Sequence, residues 1–159
     1  MPVRHVDQRR GDMDSNLESM KDHWDVVDVL SRYASGIDRK DPKLYRACFA
    51  ESLDVNMGGG LQRGLSADLW VEQALGLVAR YQSTQHIISN HSITFEGDRA
   101  FCRAEVQAQH WNPSGAWKIR GHYDDDLVRS ESGWKIHRLT LKIRWSEITG
   151  DGAPPGIRR

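Results

Sequence analysis

The sequence predicts an α+β fold in which helices come first and a curved, largely antiparallel sheet follows. In the first half of the chain, apolar residues recur every three or four positions, as they do along one face of a helix. From Ser83 onward they recur every second position, which is typical of strands with one covered face. Helices followed by strands in this way indicate that the helices pack against one side of the sheet.

The first predicted helix spans residues 15–36. Ser15 or Asn16 can act as its N-cap, and Gly36 suits the position just after its C-terminus. Large apolar side chains at three- and four-residue spacing predict its amphipathic stripe, which comprises Leu17, Met20, Trp24, Val27, Leu30 and Ala34.

Two shorter helices are predicted after it. One begins at Pro42, a residue well suited to the first helical turn. The other follows the three glycines at 58–60, begins at Ser66 or Asp68, and carries Trp70 toward the protein interior.

Three long strands are predicted in the second half of the chain. Residues 100–111 alternate strictly, with one face formed by small apolar side chains and ending at His110, and this alternation places His110 on the covered face. Residues 117–129 and 134–145 follow, joined by a Ser-Glu-Ser-Gly segment that suits a hairpin turn. For the last strand, the alternation predicts one face that carries His137, Leu139, Leu141, Ile143 and Trp145.

Length and charge limit the domain organisation and the partners. The 159 residues predict a single domain at 15–149, with a polar, flexible lead at 1–14 and a Gly- and Pro-rich tail at 150–159. The 22 basic and 22 acidic residues balance, which argues against nucleic acid as a partner. Neither a membrane-spanning apolar segment nor an apolar signal region is visible, so we expect no membrane association and a cytoplasmic location.

The sequence does not predict a metal or cofactor site. Cys48 and Cys102 are too few for a disulfide framework or a four-thiolate zinc site. The histidines show no ligand spacing along a helix, and the glycines at 58–60 lack the lysine of a phosphate-binding loop. We therefore expect a site without metal or cofactor.

Polar residues on predicted covered faces are the candidates for a functional site. The alanines beneath His110 leave space, and a sheet face that leaves space can line a pocket. His86 and Asn90 share one predicted strand face, and Tyr123 and Asp125 share another. Because buried polar groups without partners are costly, a polar cavity explains these positions economically. A hydrogen-bonded core histidine and solvated aspartates at a strand end are the alternative interpretations.

Tyr33 and Asp38 lie at the end of the first predicted helix. A carboxylate at this position faces the negative end of the helix dipole. Asp38 is therefore either a solvated loop residue or a residue with a partner, such as the ring N–H of a histidine.

The order of these motifs resembles the SnoaL-like branch of the nuclear-transport-factor-2-like superfamily. The resemblance rests on the segments RYASGIDRKDPKLYRACF, STQHIISN and GHYDDDLVRSESGWKI, and it covers roughly residues 17–147. Within that branch the motifs are most similar to those of scytalone dehydratase and bile-acid 7α-dehydratase. The resemblance implies a cone-shaped α+β barrel, in which three N-terminal helices pack on a curved sheet around a deep pocket.

The resemblance also implies which residues form the site. Asp38 and His86 match the Asp/His dyad of the family, and Tyr33 matches a tyrosine of the bile-acid dehydratase. His110 matches the second histidine of scytalone dehydratase. Met57 stands where scytalone dehydratase has a tyrosine, which distinguishes this chain from that enzyme.

The implied function is a cofactor-independent, dehydratase-like lyase that eliminates water from a small, cyclic, largely apolar hydroxylated carbonyl compound. In this hypothesis His86, oriented by Asp38, removes the proton α to the carbonyl, and Tyr33 binds the developing enolate oxygen. His110, together with Tyr123, protonates the departing hydroxyl. The residues expected to bind the substrate are Tyr123, Asp125, Asn90, Met57 and Trp70.

Two alternatives stay open at this point. The same dyad serves an isomerase or a polyketide cyclase, and the same scaffold serves non-catalytic modules that bind small molecules. The resemblance also implies a homo-oligomer, with a trimer favoured over a dimer.

Overall fold

Three helices and six strands make up residues 4–154, which are the residues that the computed structural model describes. In chain order they are α1 (Arg4–Asp38), α2 (Pro42–Arg46), β1 (Phe49–Asn56), β2 (Gln62–Ser66), α3 (Ala67–Val78), β3 (Ser83–Glu96), β4 (Arg99–Asn112), β5 (Gly115–Ser130) and β6 (Gly133–Gly150). The predicted α+β class is confirmed. The expectation of three N-terminal helices is wrong in one respect, because β1 and β2 precede α3.

The six strands form one mixed sheet with the order β2–β1–β6–β5–β4–β3. Strand β1 runs parallel to β6, and the other neighbouring pairs are antiparallel. The two outer strands, β2 and β3, do not pair with each other, so the sheet is open and the predicted barrel is not closed. The helices cover the inner face of this sheet, and the core lies between the two layers.

Helix α1 differs from its prediction at both its start and its buried face. It is helical from Arg4 instead of Ser15, and the added segment contains three arginines, which favour a helix, and no proline. Its buried apolar residues begin at Val26, whereas Leu17 and Trp24 are exposed. The predicted stripe therefore reaches the core only in its C-terminal half. Residues 1–3 of the predicted lead and 155–159 of the predicted tail lie outside the described residues.

Helices α2 and α3 begin where the capping pattern predicts. The Asp41 side chain accepts hydrogen bonds from the main-chain N–H groups of Lys43 and Leu44, just before α2. The Ser66 hydroxyl accepts one from Leu69 and caps α3. No helix in the described part of the chain is both long and apolar enough to cross a membrane.

A bulge in β3 changes which of its side chains face the core. The register with β4 shifts between Ser89 and Ser92, and Asn90 adopts a left-handed conformation with φ of 54°. Asparagine tolerates this conformation better than most residues do. The extra residue turns Asn90 to the exposed side and brings His91 to the half-buried side. The predicted inward position of Asn90 is therefore wrong.

Two register shifts in β6 also change which of its side chains face the core. They lie opposite Arg120/Gly121 and Asp126/Leu127 of β5. As a result Ile143 pairs with Gly121 on the inner face, whereas Trp145 pairs with Arg120 on the outer face and is half exposed. The strict alternation predicted for the last strand fails at these bulges, because each extra residue reverses the direction of the side chains that follow.

Candidate functional site

A cavity of about 290 Å³ lies between the helices and the inner face of the sheet. Its walls are mainly apolar and aromatic, with Ile37, Met57, Trp70, Val106, Ala108, Trp117, Ile119 and Leu141 among them. Its titratable groups are histidines and tyrosines, namely Tyr33, Tyr45, His86, His110 and Tyr123. No lysine, arginine, aspartate or glutamate is among the described residues that line it. A cavity of this composition suits an uncharged, largely apolar ligand.

Asp38 and His86 are directly hydrogen bonded at one end of this cavity. Asp38 is the last residue of α1, which lies against β3 and brings the carboxylate to His86. Its Oδ1 atom lies 2.7 Å from Nδ1 of His86, and its Oδ2 atom accepts the main-chain N–H of the same residue at 2.7 Å. The Thr84 hydroxyl donates a further hydrogen bond of 2.9 Å to Oδ1. The two hydrogen bonds to His86 hold both its imidazole ring and its main chain against the Asp38 carboxylate.

These hydrogen bonds determine which atoms of Asp38 and His86 carry a proton. Burial opposes ionisation of Asp38, but the hydrogen bonds from His86 and Thr84 outweigh it and lower the pKa of the carboxyl below its ordinary value. An ionised carboxylate only accepts hydrogen bonds, so Nδ1 of His86 carries the proton. Whenever Nε2 carries no proton, its lone pair is free to accept one, and His86 lines the cavity. This is the arrangement that a general base requires.

His110 lies next to the Asp38–His86 pair, but its hydrogen-bond partner is a main-chain carbonyl instead of a carboxylate. Its ring is 5.4 Å from the His86 ring and stacks on Trp117 at 4.7 Å. Nδ1 lies 3.2 Å from the Trp117 carbonyl oxygen, which can only accept, so Nδ1 carries the proton. Burial, reinforced by His86, lowers the pKa of His110 to about 4. At neutral pH His110 is therefore uncharged, and its Nε2 is an acceptor.

Three tyrosines also line the cavity. The hydroxyls of Tyr33 and Tyr123 lie 3.1 Å apart, and the ring of Tyr45 packs 5.1 Å from that of Tyr33. Burial raises the pKa of Tyr33 and of Tyr123 well above 10, so both are protonated. Because one hydroxyl donates to the other, the pair retains one O–H that can donate to a ligand.

Asp125 faces inward, as predicted, but it does not line the cavity. It is fully buried, and its Oδ1 accepts the main-chain N–H of Thr140 at 3.1 Å beside a register shift of β6. Burial raises the pKa of its carboxyl well above the ordinary value. Asp125 belongs to the packing beneath Tyr123, which lies two residues earlier on the same face of β5. The prediction that Asp125 binds the ligand is not supported by this position.

The structure brings most of the candidate residues to one cavity and leaves two outside it. Those that line it are Tyr33, Met57, Trp70, His86, His110 and Tyr123. Asp38 contacts the cavity through His86, whereas Asn90 is exposed and Asp125 lies behind the wall. Sequence reasoning missed Tyr45 and Thr84. Alternation around His86 could have indicated Thr84, but no local signal indicates Tyr45, which reaches the cavity through the packing of α2 on α1.

The described residues contain no group of three or more His, Cys, Asp or Glu side chains that could hold a metal ion. Cys48 and Cys102 are both buried and unpaired, and burial raises their pKa values to about 11 and about 12. They are therefore thiols at neutral pH, and neither lines the cavity.

Comparison with known proteins identifies the scaffold. The family model described as a SnoaL-like domain matches residues 18–140. An uncharacterized protein of Mycobacterium tuberculosis H37Rv is 28% identical over 138 residues, which cover 77% of this chain and 86% of that protein.

Two crystal structures are similar over most of the chain. The Kfla4162 protein of Kribbella flavida superposes with a TM-score of 0.77 at 25% identity, covering 81% of this chain and 95% of that one. A protein of Novosphingobium aromaticivorans, described as a candidate scytalone dehydratase, superposes with a TM-score of 0.70 at 23% identity, covering 92% and 99%. Because the family model matches residues 18–140, which are most of the chain, the chain belongs to the SnoaL-like domain family.

Proposed function

We propose that the protein is a cofactor-independent lyase that eliminates water from a small cyclic hydroxy ketone. The observation that carries this proposal is the hydrogen-bonded Asp38–His86 pair at the wall of a cavity without charged side chains. An oriented, neutral imidazole in an apolar cavity is suited to remove a weakly acidic proton next to a carbonyl. The fold alone does not carry this conclusion, because one scaffold serves many activities.

The first step is transfer of the α-proton to Nε2 of His86. Asp38 keeps Nδ1 protonated, so the lone pair of Nε2 is directed away from the carboxylate. When Nε2 takes the proton, the ring becomes a cation, and the adjacent carboxylate stabilises that charge. General-base catalysis of this kind contributes a rate factor of about 10²–10⁴.

The enolate that forms is stabilised by the tyrosine pair. Tyr33 and Tyr123 share one hydrogen bond and retain one O–H for the substrate oxygen. Both hydroxyls are held by buried aromatic packing, so little reorganisation is needed when charge develops on that oxygen. This role agrees with the one that the sequence predicts for Tyr33.

The departing hydroxyl receives its proton from the His86 cation. The C–O bond breaks as the enolate electrons form the conjugated double bond, and hydroxide leaves with this proton as water. His110 is a poor acid here, because its Nδ1 proton is bonded to Trp117 and its Nε2 carries none. We assign it instead to accept a hydrogen bond from the substrate hydroxyl, in place of the acid role expected from the sequence.

The size of the cavity restricts the substrate class. A volume of about 290 Å³ is at the small end of ligand sites. The substrate we propose is therefore a compound of one or two rings, with a carbonyl directed to Tyr33 and a hydroxyl within reach of His86.

The test is a screen of one- and two-ring β-hydroxy ketones by mass spectrometry. Elimination predicts a product 18 mass units lighter, made by the wild type and lost in His86→Ala. His23→Ala is the matched control, because His23 is exposed and outside the cavity. Turnover by His86→Ala equal to that of the wild type would exclude His86 as the base.

Isomerisation is the second candidate, because the hydrogen-bonded Asp38–His86 pair can serve it without any second acid. A double-bond isomerase needs one base that removes a proton and returns it at another carbon, and it needs no acid for a leaving group. In that case the product has the mass of the substrate and incorporates deuterium from the solvent. A non-catalytic binding module predicts neither product, although the same ketones would still raise the melting temperature.

Assembly and location stay predictions. The homo-oligomer expected from the family, with a trimer favoured, and the cytoplasmic location both need direct measurement.

A further inference from the structure

The outer end of the cavity carries two amide side chains that the proposed chemistry does not use. Gln62 of β2 and Gln73 of α3 both line the cavity, and both are exposed. The side chain of His86 is 8% exposed, and its strand β3 is separated from β2 by the four other strands of the sheet. The two glutamines therefore lie at the mouth of the cavity, whereas His86 lies in its buried part.

Local structure directs both amides toward the cavity. Gln62 pairs with Val55 in the antiparallel ladder of β1 and β2, and paired residues project on the same face of a sheet. Because Val55 is fully buried, Gln62 also projects to the inner face. In α3, Gln73 lies three residues after Trp70 and four before Leu77, and residues at these spacings share one side of a helix. Trp70 and Leu77 line the cavity as well.

Neither amide side chain has a hydrogen-bond partner among the described residues. A glutamine amide accepts hydrogen bonds through its oxygen and donates them through its NH2 group. Water can serve both groups in the free protein, because both side chains are exposed. A ligand that reaches the mouth displaces this water, and it loses affinity unless it supplies the same hydrogen bonds.

We propose that Gln62 and Gln73 form a subsite for a second, uncharged polar group of the substrate, at the end remote from the reacting carbonyl. This inference rests on the proposed function, in which the carbonyl is bound by the buried Tyr33, and it narrows the substrate class. A hydroxyl fits the subsite because it can donate to the oxygen of one amide and accept from the NH2 group of the other. A carboxylate fits poorly, because no described lining residue carries a positive charge that would offset its loss of water.

Isothermal titration calorimetry with two bicyclic ketones tests the subsite. The probes are 1-decalone and 6-hydroxy-1-decalone, which differ by one hydroxyl on the ring remote from the carbonyl. The hydroxy ketone should bind to the wild type about 2–10-fold more tightly, which is the net effect of one neutral hydrogen bond. Neither probe carries a hydroxyl β to its carbonyl, so the titration does not depend on elimination. Failure of the elimination screen and failure of this subsite are therefore distinguishable.

The double variant Gln62→Leu/Gln73→Leu removes both amides at nearly constant side-chain volume. It should bind the two probes with equal affinity, and it should bind 1-decalone at least as tightly as the wild type does. Gln109→Leu is the matched control and should keep the preference for the hydroxy ketone. Gln109 is exposed between the buried residues Ala108 and His110 of β4, so it projects to the outer face of the sheet.

Three results would overturn the subsite. The first is a wild type that binds both probes equally or does not bind the hydroxy ketone at all. The second is an unchanged preference in the double variant, which would mean that the glutamines are solvated residues without a role in binding. The third comes from the 6-carboxylate of 1-decalone, which we expect to bind more weakly than the hydroxy ketone. Tighter binding of the carboxylate would show that the mouth selects a charged group.

Discussion

The Asp38 carboxylate holds His86 at two points, because it accepts both the ring Nδ1–H and the main-chain N–H of that residue, each at 2.7 Å. The side chain and the backbone of His86 are thereby oriented by one group at the end of α1. This contact keeps Nδ1 of His86 protonated and sets the direction of the imidazole ring. The proposed chemistry depends on both.

Replacing Asp38 with Asn should lower kcat by about 10²–10⁴-fold, because the amide no longer stabilises the charged imidazole. KM should change little, since Asp38 does not line the cavity. Steady-state kinetics on a substrate from the screen measures both. Asp41→Asn is the matched control, because Asn also serves as the N-cap of α2. An Asp38→Asn enzyme of normal kcat would contradict the dyad mechanism.

Tyr33→Phe should reduce kcat by about 10²–10³-fold, the range for loss of one donor to a developing oxyanion. The double variant Tyr33→Phe/Tyr123→Phe should be little slower than the single one, because the two hydroxyls act as a pair. Tyr81→Phe removes a buried hydroxyl bonded to Gly152 outside the cavity, and its kcat should stay normal. Fully additive losses for Tyr33 and Tyr123 would show that they act separately.

His110 should make the fold less stable as the pH falls from about 6.5 to about 4. The pKa of His110 is lowered to about 4, so in this range the unfolded chain binds a proton that the folded protein does not. The full effect amounts to about 3 kcal/mol. Urea unfolding at pH 7 and pH 4.5 should show a smaller loss in His110→Phe than in the wild type. Equal losses would mean that His110 titrates normally.

Asp125 should change the pH dependence of stability in the opposite direction to His110. Burial raises its pKa in the folded protein, so above about pH 4 the unfolded chain ionises while the folded protein stays protonated, and stability falls as the pH rises. Asp125→Asn removes this titration. Its unfolding free energy relative to the wild type should therefore be higher at pH 8 than at pH 4.5. A relative stability that does not change with pH would place a charged Asp125 in the folded state.

Gly36 should be intolerant of a side chain because it contacts Tyr45. A Cβ at residue 36 would lie 2.7 Å from the Tyr45 nitrogen and 2.8 Å from its Cα, so α2 would have to move. We expect Gly36→Ala to destabilise the fold by about 1–3 kcal/mol and to weaken ligand binding. Gly76→Ala, in α3 with nothing within 4 Å, should be neutral or stabilise by up to about 1 kcal/mol. Urea unfolding of both variants provides the comparison.

Much of the fold was predictable because its signals are local. Pro42 and Ser66 identify the starts of two helices through capping chemistry. Strict alternation places His110 on the inner face of β4, and no bulge interrupts that strand. The segments around Asp38 and His86 carry the family resemblance, so the resemblance indicates these two residues without the contact between them.

Other features depend on contacts between distant segments. Single-residue bulges in β3 and β6 reversed the predicted directions of Asn90 and Trp145, because pairing with a neighbouring strand decides where an extra residue is accommodated. The exposure of Trp24 follows from where α1 leaves the sheet, which periodicity does not encode.

The class of the elements, their order and the residue types of the Asp/His pair can all be predicted without coordinates, because periodicity, capping and motif order are properties of the chain. Three other features come from the folded arrangement: Tyr45 lines the cavity, Asp125 lies behind it, and the Nδ1 proton of His110 bonds to Trp117. These outcomes depend on packing between segments far apart in the chain. The protonation of a buried group follows from that packing and its hydrogen-bond partners.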